Sequence, residues 1–146
     1  IASVLALAYV MNFSGQTVAM GTFLAGLGTI YAVLAPVLGW IGTAVTGSDT
    51  SANALFSKLQ VSAAENLQHA GVSGATPELM LAANTTGGVV GKMISPQSLA
   101  IAATSVDMEG KESDILKAVV PWSFAMLVVV CLLVFLQTNI LSFLVP

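Results

Sequence analysis

Residues 82–98, AANTTGGVVGKMISPQS, form a polar, glycine-rich interruption between apolar segments. On membrane-insertion scales a lysine at the centre of a span costs about 2.5–3.5 kcal/mol, so Lys92 requires a partner, a wet cavity or a functional task. Gly87, Gly88 and Gly91 each lower helix stability by about 1 kcal/mol, and Pro96 removes a backbone donor. The run is therefore expected to leave the helix, with residues 85–91 non-helical and their amides and carbonyls free. Free backbone within a bilayer is tolerated only beside protein or water, and half-helix ends with unwound chain are how binding sites form near the bilayer midplane. An ordinary loop between spans, with Lys92 at a headgroup surface, is the alternative. A phosphate loop is excluded, because G-x-x-x-x-G-K-[ST] would require glycine at Thr86 and a hydroxyl residue at Met93.

Working outward, the flanks are those of an integral membrane protein. Of 146 residues, 56% are hydrophobic and 8% charged, with a mean hydropathy of +0.92, against about 25% charged in soluble proteins. Every Asp, Glu and Lys lies between Asp49 and Lys117, and residues 1–48 and 118–146 carry none. Seven acids against four lysines, with no arginine, leave a net charge of -3 and no electrostatic footprint for nucleic acid. The lone Cys131 sits in the last apolar run, where it reads as a small packed hydrophobe. No metal site, cofactor or enzymatic constellation is expected.

The chain begins at Ile1 within an apolar run and is read as a fragment, with residues 1–13 the tail of a truncated helix. A basic n-region and a cleavage site are missing, so the run does not read as a secretory signal. The polar group Asn12, Ser14, Gly15, Gln16 and Thr17 is compatible with a turn or with a mid-membrane break. Residues 18–41 are uncharged and as one helix would reach about 36 Å, enough for a core of about 30 Å. Gly21/Ala25 and Gly28/Ala32 are spaced for close helix packing, and Pro36 is expected to kink the helix. Residues 42–51 are expected to be non-helical and to meet residues 85–91 near mid-depth. Ser48, Asp49, Thr50 or Ser51 can cap a helix running to about Gln68, whose N-terminus attracts anions. Its apolar stripe, Leu55, Leu59, Ala63 and Leu67, faces away from Lys58, Glu65 and Gln68.

Pro77 and Glu78 suit the first turn of a further helix. Residues 107–118 carry six charges and read as an interfacial segment, and residues 119–141 as a full span of about 35 Å. The architecture expected is an all-α polytopic membrane protein with this final crossing. The few lysines are mixed with acids, so charge asymmetry sets no orientation.

The segments GSDTSANALF, residues 47–56, and ANTTGGVVGKMISPQS, residues 83–98, in this order and spacing, resemble the lactate permease family. GKESD at 110–114 and the final apolar span continue the likeness, which covers nearly the whole chain and corresponds to that family's C-terminal region. The resemblance implies a multi-pass bacterial inner-membrane protein moving L-lactate, often also D-lactate and glycolate, in symport with protons, and no enzyme activity. It also implies two inverted repeats, each with a re-entrant hairpin and a broken helix. Here 18–68 would be the hairpin-like pair and 77–106 the broken helix of the second repeat, with the N-terminal repeat a partner supplying the other half of the site. The fragment alone is not expected to transport. Sodium-coupled carboxylate transport by a similar architecture and a non-transporting assembly subunit are the competing readings.

On this reading one half of a substrate site comprises Lys92, the backbone amides of Thr86, Gly87 and Gly88, and the side chains of Asn84, Thr85, Ser95 and Gln97. Ser48, Thr50 and Asn53 add polar groups from the first motif. A carboxylate entering a low-dielectric cavity needs a cation or aligned amides, and a hydroxyl needs a short polar side chain. Asp49 is the candidate proton-coupling carboxyl, because an acid in a partly dry site takes up a proton more readily. A structural cap is the rival role for Asp49, and neutralising Asp49 or reaching an interface are the rivals for Lys92.

Overall fold

The computed structural model describes residues 2–72 and 74–141; Ile1, Ser73 and residues 142–146 lie outside the described residues. The described chain contains seven helices and no strand: α1 (Ala2–Phe13), α2 (Gln16–Ala25), α3 (Thr29–Thr46), α4 (Asp49–His69), α5 (Pro77–Lys92), α6 (Pro96–Ser105) and α7 (Glu112–Asn139). Local chemistry starts three of them. The hydroxyls of Ser48, Thr76 and Ser95 accept from the backbone N–H of Ser51, Leu79 and Ser98, and Pro77 and Pro96 take the first helical positions. Gly47, at φ 70°, ends α3 in the left-handed conformation and lets α4 begin at once.

Helices α3 and α7 are each long and apolar enough to cross a membrane; α1 and α2 meet that test only together, bent by 72° at their junction. The most extensive pairing is α3 against α5, with α4 packed on both and α7 closing one side. The core is built largely of alanine, with Ala32, Ala35, Ala63, Ala64 and Ala83 around Tyr31, Leu59, Leu67 and Met80. Small residues let backbones approach closely, which supplies dispersion contact where lipid offers no hydrophobic gain. Ser123 on α7 ties this core together: it accepts from Trp40 Nε1 at 2.9 Å and donates to the Val90 carbonyl at 3.0 Å. The outer face of α7 presents exposed Phe124, Val129, Leu132 and Leu133.

Three sequence expectations are corrected. Residues 85–91 are helical, since α5 runs through Gly87, Gly88 and Gly91, and the interruption falls at Met93, Ile94 and Ser95. The glycines are contact points: a Cβ on Gly87 would strike the Pro36 carbonyl, one on Gly91 the Trp40 carbonyl, and one on Gly39 the Asn84 backbone carbonyl. The low helix propensity of glycine is offset by the close approach of α3 and α5. Likewise, within residues 42–51 only Gly47 and Ser48 leave the helix. The run 18–41 is divided after Ala25, and α3 begins at Thr29 and continues through Pro36. Helix α7 starts at Glu112, within residues 107–118, where Glu112 and Asp114 suit a first helical turn.

Candidate functional site

Helix α4 carries Asp49, Asn53 and Gln60 at separations of four and seven residues, one stripe of a helical surface. That stripe faces α3 and α5, and a continuous hydrogen-bonded chain crosses the three helices. The Tyr31 hydroxyl donates to Gln60 Oε1 at 2.6 Å. Gln60 Nε2 donates to the Ala35 carbonyl at 3.3 Å and to Asn84 Oδ1 at 3.1 Å. Asn84 Nδ2 donates to Asn53 Oδ1 at 2.8 Å, and that oxygen also accepts from the Thr85 hydroxyl at 3.1 Å. Asn53 Nδ2 donates to Asp49 Oδ2 at 3.2 Å, and the Thr43 hydroxyl donates to Asp49 Oδ1 at 3.5 Å.

Tyr31, Thr43, Gln60 and Asn84 are 0% exposed, whereas Asp49 and Asn53 are half-buried and Thr85 is exposed. The chain thus runs from the core to a mouth where Thr85, Asn53 and Asp49 gather. Burying an unpaired amide costs about 1–3 kcal/mol, and linking each amide to the next removes that cost. Gly88 completes the mouth: a Cβ there would coincide with Asp49 Oδ1 and crowd the Thr43 hydroxyl, so the absent side chain admits the carboxylate.

The remaining sequence-predicted residues fall elsewhere. The amides of Thr86, Gly87 and Gly88 lie inside α5 and are taken up by its helical hydrogen bonding, so they are not free donors. Thr86 is exposed and donates to the Ala82 carbonyl at 2.8 Å. Thr50 is exposed on the first turn of α4. Lys92 is exposed in the last turn of α5; among the described residues the one ion pair is Lys117–Asp114, so Lys92 does not neutralise Asp49. Ser48 and Ser95 cap α4 and α6, and Ser95 also donates to the Lys92 carbonyl at 2.9 Å. Gln97 comes against Gly47, where a Cβ would lie 3.0 Å from Gln97 Oε1. This contact sets the N-termini of α4 and α6 side by side. Sequence reading missed Tyr31, Thr43 and Gln60. The register of Gln60 with Asn53 and Asp49 was an available signal; Tyr31 and Thr43 carried none. Among the described residues no cluster of His, Cys, Asp and Glu could hold a metal ion.

The family model described as L-lactate permease matches residues 1–141. The chain belongs to the L-lactate permease family. It is 46% identical to an L-lactate permease of Bacillus subtilis and 44% identical to one of Escherichia coli K12, in each case over the whole chain and 25% of the relative. A protein named glycolate permease GlcA of Escherichia coli K12 is 41% identical over 97% of the chain and 24% of its own length. The chain thus spans about a quarter of the length of the curated relatives it matches. No solved structure matches it. Membership of this family and the long apolar helices point to part of a multi-pass membrane protein.

Proposed function

We propose that the complete protein containing this chain takes up L-lactate, with D-lactate and glycolate as further substrates, by proton symport across the bacterial inner membrane. The observation that carries the reading is the meeting of Asp49, Asn53 and Thr85 at one mouth, with the buried Asn84 bonded to Asn53 beneath them and a glycine against the carboxylate. Asn53 and Thr85, supported by Asn84, offer short polar groups to the substrate hydroxyl. Lys92, Gln97, Ser48, Ser95, Thr50 and the first-turn amides of α4 and α6 offer positive potential to the carboxylate. Residues 18–68 act as the hairpin and 77–106 as the broken helix of one repeat, and the N-terminal repeat contributes the opposing wall.

Asp49 is the coupling group. An ionised Asp49 repels an entering carboxylate: at about 4 Å and an effective dielectric near 20, two like charges cost about 4 kcal/mol. Protonation removes that cost, so the proton and the anion bind together and travel together. Sodium-coupled carboxylate transport is the second reading, favoured by the oxygens of Thr43 and Asp49 gathered in one place. Labelled lactate uptake by the complete protein in proteoliposomes, with pH and sodium gradients imposed separately, tests both. Accumulation driven by external acid alone is expected; accumulation driven by sodium alone, at equal pH, overturns proton symport in favour of the second reading.

A further inference from the structure

We infer that Gln60 is a positioning residue that, held by Tyr31 and the Ala35 carbonyl, fixes the buried Asn84 and through it Asn53 at the substrate mouth. The inference rests on the proposed use of Asn53 in binding. A primary amide has two ends of nearly equal shape, and its partners decide which way it points. The Ala35 carbonyl only accepts, so the Gln60 nitrogen must face it, and the Tyr31 hydroxyl donates to the Gln60 oxygen. The second proton on that nitrogen goes to Asn84 Oδ1, which turns the Asn84 nitrogen toward Asn53 and the Asn53 nitrogen toward Asp49. The Ala35 carbonyl at one end and the Asp49 carboxylate at the other, both acceptors, thereby hold three amides in series in one polarity.

Without Gln60, nothing holds Asn84 Oδ1. Asn84 is then held from one side only, and Asn53, whose nitrogen stays on Asp49 Oδ2, loses the fixed support that Asn84 gives it beside the substrate. A methionine of similar length would fill the same buried space without desolvating an amide, so the contribution of Gln60 lies in its hydrogen bonds. The titratable groups tied to this chain are Tyr31 from α3 and Asp49 at its far end. Among the described residues Lys58 and Glu65 on α4, and Glu78 and Lys92 on α5, make no hydrogen bond or ion pair with it.

The test compares lactate KM and maximal rate for the parent, Gln60→Met, Gln60→Glu and Tyr31→Phe in the complete protein, reconstituted and assayed at several pH values. Gln60→Met is expected to raise KM about tenfold at every pH and, because the Tyr31 hydroxyl and Asn84 Oδ1 lose their buried partner, to melt at a lower temperature than the parent while still folding. Gln60→Glu keeps the shape but donates only when protonated, so relative to the parent its KM is expected to rise as pH rises and to recover in acid. A structural role alone gives no such pH-dependent rescue. Folded Gln60 variants with parental KM at all pH values overturn the positioning role while leaving the transport reading intact. A parent that carries neither lactate nor glycolate overturns the transport reading, and this one with it. Should both Gln60 variants fail to insert, Tyr31→Phe, which leaves Gln60 held by Ala35 and Asn84, is expected to raise KM about two- to threefold. Parental KM in that variant overturns the role.

Discussion

Asp49 Oδ1 occupies the space that a Cβ on Gly88 would take, so the carboxylate at the start of α4 rests directly on the backbone of α5. One methyl group at Gly88 would displace both Asp49 and the Thr43 hydroxyl that donates to it. Alanine is the better helix former by about 1 kcal/mol, so Gly88→Ala should remain helical and folded. Lactate uptake is nevertheless expected to fall at least about tenfold, because the displaced carboxylate no longer lies beside Asn53. Uptake at the parental rate, with folding confirmed by thermal melting in detergent, would refute the placement of Asp49 in the site.

Asp49→Asn keeps the shape of the side chain and removes its charge. The variant is expected to bind and exchange lactate across the membrane but to lose accumulation driven by a pH gradient. Counterflow of labelled lactate, measured beside gradient-driven uptake, separates the two. Accumulation that survives unchanged excludes Asp49 as the coupling group.

Gly87→Ala and Gly91→Ala test the helix contact. Each added methyl would meet a backbone carbonyl of α3, from Pro36 and Trp40, and backbone cannot swing aside as a side chain can. Overpacking of this kind costs about 1–3 kcal/mol, more than the roughly 1 kcal/mol that alanine contributes to helix propensity. Both variants should therefore melt at lower temperature than the parent. Were the glycines helix breakers, alanine would leave stability unchanged or raise it.

Lys92→Met probes the charge near the mouth. Lys92 is exposed and outside any ion pair within the described residues, so its loss should change stability by no more than about 0.5 kcal/mol. Lactate KM is expected to rise several-fold as the attraction for the carboxylate is lost. Unchanged KM and rate would remove Lys92 from the site.

The sequence by itself determined the solvent and the punctuation of this protein. Uncharged runs of membrane length require helices in lipid, where no other open structure satisfies the backbone. Ser48, Thr76 with Pro77, and Ser95 with Pro96 begin helices through bonds within a few residues of themselves. The motifs of residues 47–56 and 83–98 also carried the family. Only the tertiary structure decided what the glycines do. Glycine both weakens an isolated helix and permits two helices to touch, and the choice depends on whether a partner backbone lies opposite. For Gly87 and Gly91 that partner is α3, more than forty residues earlier in the chain. Gln60 is the same case for polar groups: an amide on an amphipathic helix reads as solvent-facing until the Tyr31 hydroxyl, the Ala35 carbonyl and Asn84 arrive from other helices to satisfy it. Propensity and capping are local energies and are legible along the chain, whereas close approach and hydrogen-bond satisfaction are properties of pairs that only packing brings together.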